Sequence, residues 1–424
     1  MNDKAAAPQT TLSLPEAVEQ AYERVRKLAL RTPLQFHPRL SKIYEAEIYL
    51  KREDLQAVRS YKIRGAYNCM ASLSKDQLER GIVCASAGNH AQGVAIACAA
   101  LKARGLVYMP ITTPDQKVNK VRSFGGAFVE VILQGDTFDI ASKLAFENAR
   151  ETGATFVHPY DDPQVIIGQG TVGLEIAQQM DQAPDFVLLP IGGGGLAAGA
   201  GTYLKQSFPN CLLYGVEPAG APAMFEAFLR KQVCHLDKID TFVDGAAVQQ
   251  AGAHTFPLCQ KALEKILLVP EGKVCSTMLS LHNEDGFIVE PAGALSVAAL
   301  DQLRPSIKGK RVVCILSGGN HDITRTEEIR ERSLLYEGLK HYFIIRFPQR
   351  AGALREFVNE ILGESDDISH FQYTKKINRQ AGPAVVGIEL AQKEHYIQLI
   401  RRMDQYGIDY QEINNNSTLF ELLV

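Results

Sequence analysis

From residue 47 to about 316, this chain of 424 residues alternates short, continuously apolar runs with longer helical stretches. No other feature limits its fold as strongly. The runs are Ile82-Val83-Cys84, Gly105 to Met109, Ala127 to Val131, Thr155-Phe156-Val157, Phe186 to Pro190, Leu212 to Val216, Ile266 to Val269 and Val312 to Leu316. Helical stretches such as Ala91 to Ala103, Thr137 to Glu151 and Gly168 to Met180 lie between several of them. Strands without an alternating polar face, separated by helices, predict parallel sheets covered on both sides, an α/β fold. The chain also exceeds one comfortable core, so two or more domains are expected.

The strand-to-helix turns concentrate small and polar residues: Ser86-Ala87-Gly88-Asn89-His90, the four glycines Gly192, Gly193, Gly194 and Gly195, and Ser317-Gly318-Gly319-Asn320. In open α/β sheets ligands collect at the carboxyl ends of strands, so the three turns point at one cleft. The glycines sit between the apolar run Phe186 to Ile191 and the small-residue helix from Leu196 to Ala200. Bare amides at a helix N-terminus can hold an anion with no Cβ in the way. No G-K-[ST] follows, and the dinucleotide fingerprint with its later acidic residue is absent, so a phosphate monoester fits better than a nucleotide. The competing reading, a flexible hinge, does not account for the position squarely between a strand and a helix.

Lys62 lies in Ser60-Tyr61-Lys62-Ile63-Arg64-Gly65-Ala66. A lone lysine at a helix start is ordinarily a solvated residue. Here Ser60 is a good N-cap and Gly65-Ala66 allows close backbone approach. An amine so placed can be kept partly deprotonated by burial and condense with an aldehyde. Arg59 and Arg64 read as partners in structural or gating ion pairs. An imine-forming lysine and a glycine nest are together what pyridoxal phosphate asks of a protein.

Around them, Ser86, Ala87, Gly88 and Asn89 form either a carboxylate clamp or an ordinary capping turn, and Asn89 can also reach a phenolic oxygen. His90 is the weaker candidate for a base, since it begins a helix and can simply pack there. Ser317 can bond a pyridine nitrogen without holding it protonated, or cap a helix. Glu290 stands near the cofactor or caps the next helix. Ten dispersed histidines without an H-x-x-x-H pair give no metal site. A net charge of -3 gives no reason to expect nucleic acid. The apolar stretches are too short and broken for a membrane span. The start, MNDKAAAPQTTLSL, lacks an apolar leader core. Eight cysteines without a C-x-x-C pair read as reduced thiols of a cytoplasmic protein.

After Arg332-Ser333-Leu334 the texture changes. Tyr342 to Phe347 reads as a strand, Gly352 to Ile361 as a helix, Ile368 to Lys375 and Ala384 to Leu390 as strands, Lys393 to Gln405 as a helix, and Asp409-Tyr410-Gln411 as a last short element. Asn414-Asn415-Asn416-Ser417 reads as a turn near the terminus. The order β-α-β-β-α-β is ferredoxin-like. Without a convincing nucleophile or metal cluster, such a module senses or assembles rather than catalyses.

The motifs S-Y-K-I-R-G-A, S-A-G-N-H-A-Q-G, G-G-G-G-L and S-G-G-N, in this order, resemble the fold-type II (tryptophan synthase beta-like) pyridoxal phosphate enzymes. Within them the chain is similar to the threonine dehydratase (threonine ammonia-lyase) family over residues 15 to 335. The segments Phe347 to Leu354 and Ile368 to Tyr373 resemble the ACT-like regulatory domain of the biosynthetic members, here one module as in their shorter forms. The resemblance implies a catalytic domain at 1–335, with a smaller subdomain at about 60–160, and a regulatory domain at 336–424. It also implies Lys62 as the Schiff-base lysine and Gly192 to Gly195 as the phosphate cradle. Asn89 would meet the cofactor's 3'-hydroxyl and Ser317 its ring nitrogen. Ser86, Ala87, Gly88, Asn89 and His90 would hold the substrate carboxylate. Glu217 and the backbone at Ala221 match a cation site of related enzymes, but its usual acidic partner is Ala223 here, so no divalent ion is expected. Tyr61 and Ala351 stand where the family usually has Phe and Pro.

The implied activity is deamination of L-threonine to 2-oxobutanoate and ammonia, and of L-serine to pyruvate, as the first step of isoleucine biosynthesis. Isoleucine would inhibit, valine would oppose it, and the assembly would be a homotetramer. The rival readings are a catabolic serine/threonine dehydratase or serine racemase, a β-replacement enzyme, and a non-catalytic amino-acid sensor. The extra C-terminal domain argues against the first, and the intact lysine, glycine and serine set against the last.

Overall fold

The computed structural model describes residues 13–373, 381–416 and 418. The first twelve residues, where no leader core is expected, lie outside the described residues, as do the expected strand end at Thr374-Lys375 and Ser417 of the expected last turn. The chain divides into two compact units: one runs to Glu271 and resumes over Ser280–His321, and the other joins Gly272–Leu279 to the residues from Asp322 onward.

The first unit holds two sheets. The larger has the order Leu34–Phe36, Glu47–Arg52, Arg311–Leu316, Phe186–Pro190, Leu212–Pro218 and Lys265–Val269. Only the opening hairpin is antiparallel. The smaller sheet is parallel throughout, in the order Val129–Leu133, Gly105–Met109, Ile82–Ala85 and Thr155–Phe156. Every residue of Phe186–Pro190 and Ile82–Ala85 is buried, as strands apolar on both faces require.

The departures from expectation have local causes. Val129–Leu133 starts beyond Ala127 because Gly126–Phe128 forms a 3-10 turn, entered through Gly126 at φ 53°. Helix Pro163–Gln179 begins before the expected Gly168 because the Asp162 carboxylate accepts from the amides of Gln164 (2.8 Å) and Val165 (2.9 Å), with proline at the first helical position. Strand Glu47–Arg52 escapes an apolar search because it carries Lys51 and Arg52 into the interior.

Lys51 belongs to a buried quartet that pins this strand to two helices. Its Nζ donates to Glu175 Oε2 (2.6 Å), Thr32 O (2.7 Å) and Gln179 Oε1 (3.0 Å). Arg64, on helix Lys62–Ala71, donates to both oxygens of Glu53 (2.7 and 2.8 Å) and both of Glu175 (2.7 and 2.8 Å). None of the four side chains is more than 1% exposed, and two positive charges balance two negative. A buried charge survives only when paired and hydrogen-bonded, and here each one is. Arg64 thus makes the structural ion pairs expected of it, and the helix that starts at Lys62 is anchored within its first turn.

In the second unit an antiparallel sheet has the order Asp367–Tyr373, Ala381–Glu389, Lys340–Pro348 and Tyr410–Glu412. Helices Ala353–Glu360 and His395–Gln405 complete the β-α-β-β-α-β order, around a core that includes Phe343, Phe357, Val386, Leu399 and Met403.

Candidate active site

Lys62 opens its helix with Tyr61, not Ser60, at the N-cap position. Ser60 is drawn out of that role because its backbone bridges to Gly318, while the Tyr61 amide donates to Ser317 O at 3.2 Å. The lysine is therefore stitched directly onto the turn that carries Ser317. Its Nζ donates to the Pro159 carbonyl at 2.8 Å. Burial pulls its pKa from 10.5 down to about 8, against the opposing charge of Glu290. About a tenth of the amine is then unprotonated and nucleophilic at pH 7, far more than for an ordinary lysine.

Lys62 shares one pocket with Asn89, Gly192, Glu290 and Ser317. The three turns singled out in the sequence do meet. Glu290 occupies the N-cap position of helix Pro291–Ala298 but does not cap it. Its Oε1 instead accepts from Asn89 Nδ2 at 2.7 Å, and burial, then Asp244, raises its pKa to about 7. Asn89 Oδ1 accepts from Asn320 Nδ2 at 2.6 Å, and Asn320 is itself tied to Val58 O at 2.8 Å. Asn89 is thus held from both ends, with one Nδ2 hydrogen left for another acceptor. Ser317 is buried, with its hydroxyl donating to Ala292 O at 3.2 Å.

The Ser86 hydroxyl accepts from the Gly88 amide at 3.2 Å, which closes a tight turn before helix Asn89–Leu101. His90 is buried with Nε2 against Val157 O at 2.8 Å, and burial, then Lys62, pushes its pKa down to about 3. The ring is a packed neutral imidazole, so only its backbone remains to face a substrate. Glu217, fully buried, accepts from the amides of Met224 and Phe225, each at 2.8 Å, and burial raises its pKa to about 8. Its oxygens serve a helix start. Among the described residues no group of three or more His, Cys, Asp or Glu side chains is placed to hold a metal ion.

A family described as pyridoxal-phosphate dependent enzyme matches residues 25–318, and the C-terminal regulatory domain of threonine dehydratase matches residues 331–423. A biosynthetic L-threonine dehydratase of Bacillus subtilis (strain 168) is 55% identical over 405 residues, 96% of each chain. One from Halalkalibacterium halodurans is 54% identical over 404 residues, 95% of this chain and 97% of the relative. The chain belongs to the threonine dehydratase family. Among solved structures, the processed form of threonine deaminase isoform 2 from Solanum lycopersicum is similar with a TM-score of 0.72 and 38% identity, covering 77% of this chain and 96% of that one. A serine racemase from maize is similar with a TM-score of 0.69 and 27% identity, covering 76% of this chain and 98% of that one.

As a threonine dehydratase the protein is a carbon-nitrogen lyase whose cofactor is pyridoxal phosphate. The residues present fit that group. Gly193 O accepts from Thr255 Oγ1 (2.6 Å) and the Gly252 amide (3.2 Å). A trans peptide then turns the Gly194 N–H to the opposite side. Gly194 O accepts from the Ala198 amide at 2.8 Å, which aims the Gly195 N–H outward in the same way. Gly194 caps the helix at φ 94°, a conformation that disfavours any side chain. Two bare amides at a helix N-terminus suit a phosphate, and the readily deprotonated Lys62 amine suits an aldehyde.

Sequence reasoning missed the part played by Asn320 and by the turn His158-Pro159-Tyr160-Asp161. Asp161-Asp162-Pro163 ahead of an apolar helix is a capping signature that would have marked this turn as ordered.

Proposed function

We propose that this enzyme converts L-threonine to 2-oxobutanoate and ammonia, and L-serine to pyruvate, at the entry to isoleucine biosynthesis. The observation that carries this reading is the meeting of Lys62, Asn89, Gly192 and Ser317 in one pocket of a chain 55% identical to a biosynthetic threonine dehydratase. Bound pyridoxal phosphate supplies the electron sink for the charge left by loss of the α-proton.

The protein's own residues do the rest. Lys62 Nζ would hold the aldehyde carbon and, once freed by the incoming amino group, would take the α-proton. The Gly194 and Gly195 amides would hold the phosphate, and Asn89 would offer its remaining Nδ2 hydrogen to the phenolic oxygen. The Ser317 hydroxyl, turned from Ala292 O, would meet the ring nitrogen as a neutral partner. That limits spread of the α-carbon charge into the ring and favours prompt loss of the β-hydroxyl, which leaves as water on a proton from bound water. Ser86, Ala87, Gly88 and Asn89, with the His90 backbone, hold the substrate carboxylate. Lys62, its proton passed to solvent, would regain the aldehyde carbon and so free the enamine, which tautomerises. Water then replaces its nitrogen to give the 2-oxoacid and ammonia. Lys62→Ala should abolish both the imine absorbance and ammonia release, and full activity in that variant refutes the assignment.

The likeness to a serine racemase favours one rival reading, which D-serine formation from L-serine would reveal. We assign catalysis to residues 1–335 and control to an ACT-like domain at 336–424, which binds isoleucine as inhibitor and valine as its antagonist. The match to the threonine dehydratase regulatory domain supports this. A two-state response of this kind suits a homotetramer working in the cytoplasm. Isoleucine inhibition that survives deletion of residues 336–424 rules the assignment out.

A further inference from the structure

Strand Thr155–Phe156 ends the smaller sheet, and the chain then returns to helix Pro163–Gln179 through His158-Pro159-Tyr160-Asp161. This short turn touches both halves of the candidate site. The Pro159 carbonyl accepts from Lys62 Nζ at 2.8 Å. The Tyr160 ring lies so close to Gly193 that a Cβ there would stand 2.2 Å from Cδ2, and its hydroxyl donates to Gln250 O at 3.2 Å. The Asp161 carboxylate accepts three successive amides, Ala253 at 2.9 Å, His254 at 2.8 Å and Thr255 at 3.2 Å, across the start of helix Thr255–Ala262. Only a glycine fits beside it, since a Cβ on Gly252 would stand 2.2 Å from Asp161 Oδ1. Asp161 holds Thr255 directly and Gly252 through its neighbour Ala253, and Thr255 and Gly252 are the residues that pin Gly193 O.

The turn is braced from within. His158 Nδ1 accepts from the amides of Tyr160 (3.3 Å) and Asp161 (2.8 Å), which requires that nitrogen to be bare and the proton to sit on Nε2. Burial holds the ring in this neutral state, with its pKa pushed down to about 4.

The geometry points to a strap: Asp161 is a positioning residue that sets the distance between the Lys62 amine and the amides of the glycine turn. A phosphate monoester with an aldehyde at its far end needs both partners at a defined span. Without the carboxylate, the segment from Gly252 to Thr255 loses its anchor and Gly193 O its restraint. The Gly194 amide is then free to turn away. The loss falls on cofactor affinity rather than on proton transfer by Lys62 once the cofactor is saturating.

This inference rests on the assignment of Lys62 and Gly192 to Gly195 to the cofactor. The test titrates pyridoxal phosphate into cofactor-free full-length wild type, Asp161→Ala, Asp161→Asn and Lys62→Ala, reading the imine absorbance, the melting temperature of each cofactor-free form, and kcat at saturating cofactor. Removing charge-assisted hydrogen bonds should weaken cofactor binding roughly 10- to 100-fold in Asp161→Ala. The isosteric Asp161→Asn, which keeps one acceptor oxygen, should lose less and still carries the test if the alanine variant does not accumulate. The strap predicts a loss of cofactor affinity larger than the modest loss of cofactor-free stability that three unpaired amides entail, and a kcat that recovers at high cofactor. Wild-type affinity in both Asp161 variants, or an affinity loss matched by equal loss of cofactor-free stability, overturns it. An imine band in Lys62→Ala would instead overturn the site assignment on which it rests.

Discussion

Replacing Arg64 with methionine tests whether the buried quartet carries the structural weight that its geometry indicates. The guanidinium makes four hydrogen bonds to Glu53 and Glu175 of 2.7 to 2.8 Å, and longer ones to Leu30 O (3.1 Å) and Thr171 Oγ1 (3.3 Å). Without it, two carboxylates face only Lys51, so one buried negative charge stands uncompensated. Breaking a buried pair from one side costs about 3–5 kcal/mol, and we expect about 4 kcal/mol here. Thr32 Oγ1 (2.5 Å) and Gln56 Nε2 (3.1 Å) still serve Glu53, which keeps the cost off the upper limit. Adding Glu53→Gln restores charge balance, since Lys51 and Glu175 remain as a pair. The double variant should therefore recover about 2 kcal/mol of the loss.

The deficit also depends on pH. In Arg64→Met a carboxylate of the folded state takes up a proton more readily than in the unfolded chain. Stability of the variant then falls as pH rises through the window above the usual carboxylate range, and its deficit is larger at pH 8 than at pH 5. Urea unfolding of the cofactor-free protein, followed by circular dichroism because the chain has no tryptophan, reads these differences. A cost below about 1 kcal/mol, or a double variant less stable than Arg64→Met, would show that the quartet is not a coupled ionic unit.

Two further outcomes follow from the pocket. With a Lys62 pKa of about 8, the rate of imine formation in the cofactor-free enzyme should rise with pH and level off above about 9, where the amine is mostly unprotonated. Rapid mixing with pyridoxal phosphate measures it, and a rate still climbing tenfold per pH unit near pH 10 contradicts the shift. Glu290, raised from 4.5 to about 7, binds its proton more tightly folded than unfolded, so wild type loses stability as pH rises between these values. Glu290→Gln keeps an acceptor for Asn89 without this penalty. Its stability relative to wild type should grow by at most about 3 kcal/mol between pH 4.5 and 8, at 1.36 kcal/mol per unit. Melting curves across that range that remain parallel would refute it.

The parallel sheets were legible because most of their interior strands contain a continuous apolar run, and Gly105–Met109 and Phe186–Pro190 begin and end where those runs do. Edges and charged strands were not. Glu47–Arg52 hides its place in the larger sheet behind two buried charges whose partners, Asp54 and Glu175, include one far along the chain. Helix starts slipped where a cap overrode periodicity, as Asp162 does for Pro163–Gln179. In the site, lysine, asparagine, glycines and serine could be named as candidates because they lie in four motifs whose order resembles one family, although each motif alone has an ordinary structural use. Glu290 stayed ambiguous between a cap and a pocket group, since an acidic residue before a proline serves either.

Local chemistry thus determined by itself which residues can make an imine, hold a phosphate or close a strand-to-helix turn, because amine, bare amide and hydroxyl carry those capacities wherever they lie. Whether they act together was decided only in three dimensions. Asn89 and Glu290 are 201 positions apart and meet at 2.7 Å. Lys62 reaches the carbonyl of Pro159, and Asp161 the amides beside the glycine turn. Burial is likewise a property of the packed chain, and it is burial that brings the Lys62 amine down to about 8 and separates a nucleophile from an ordinary surface lysine.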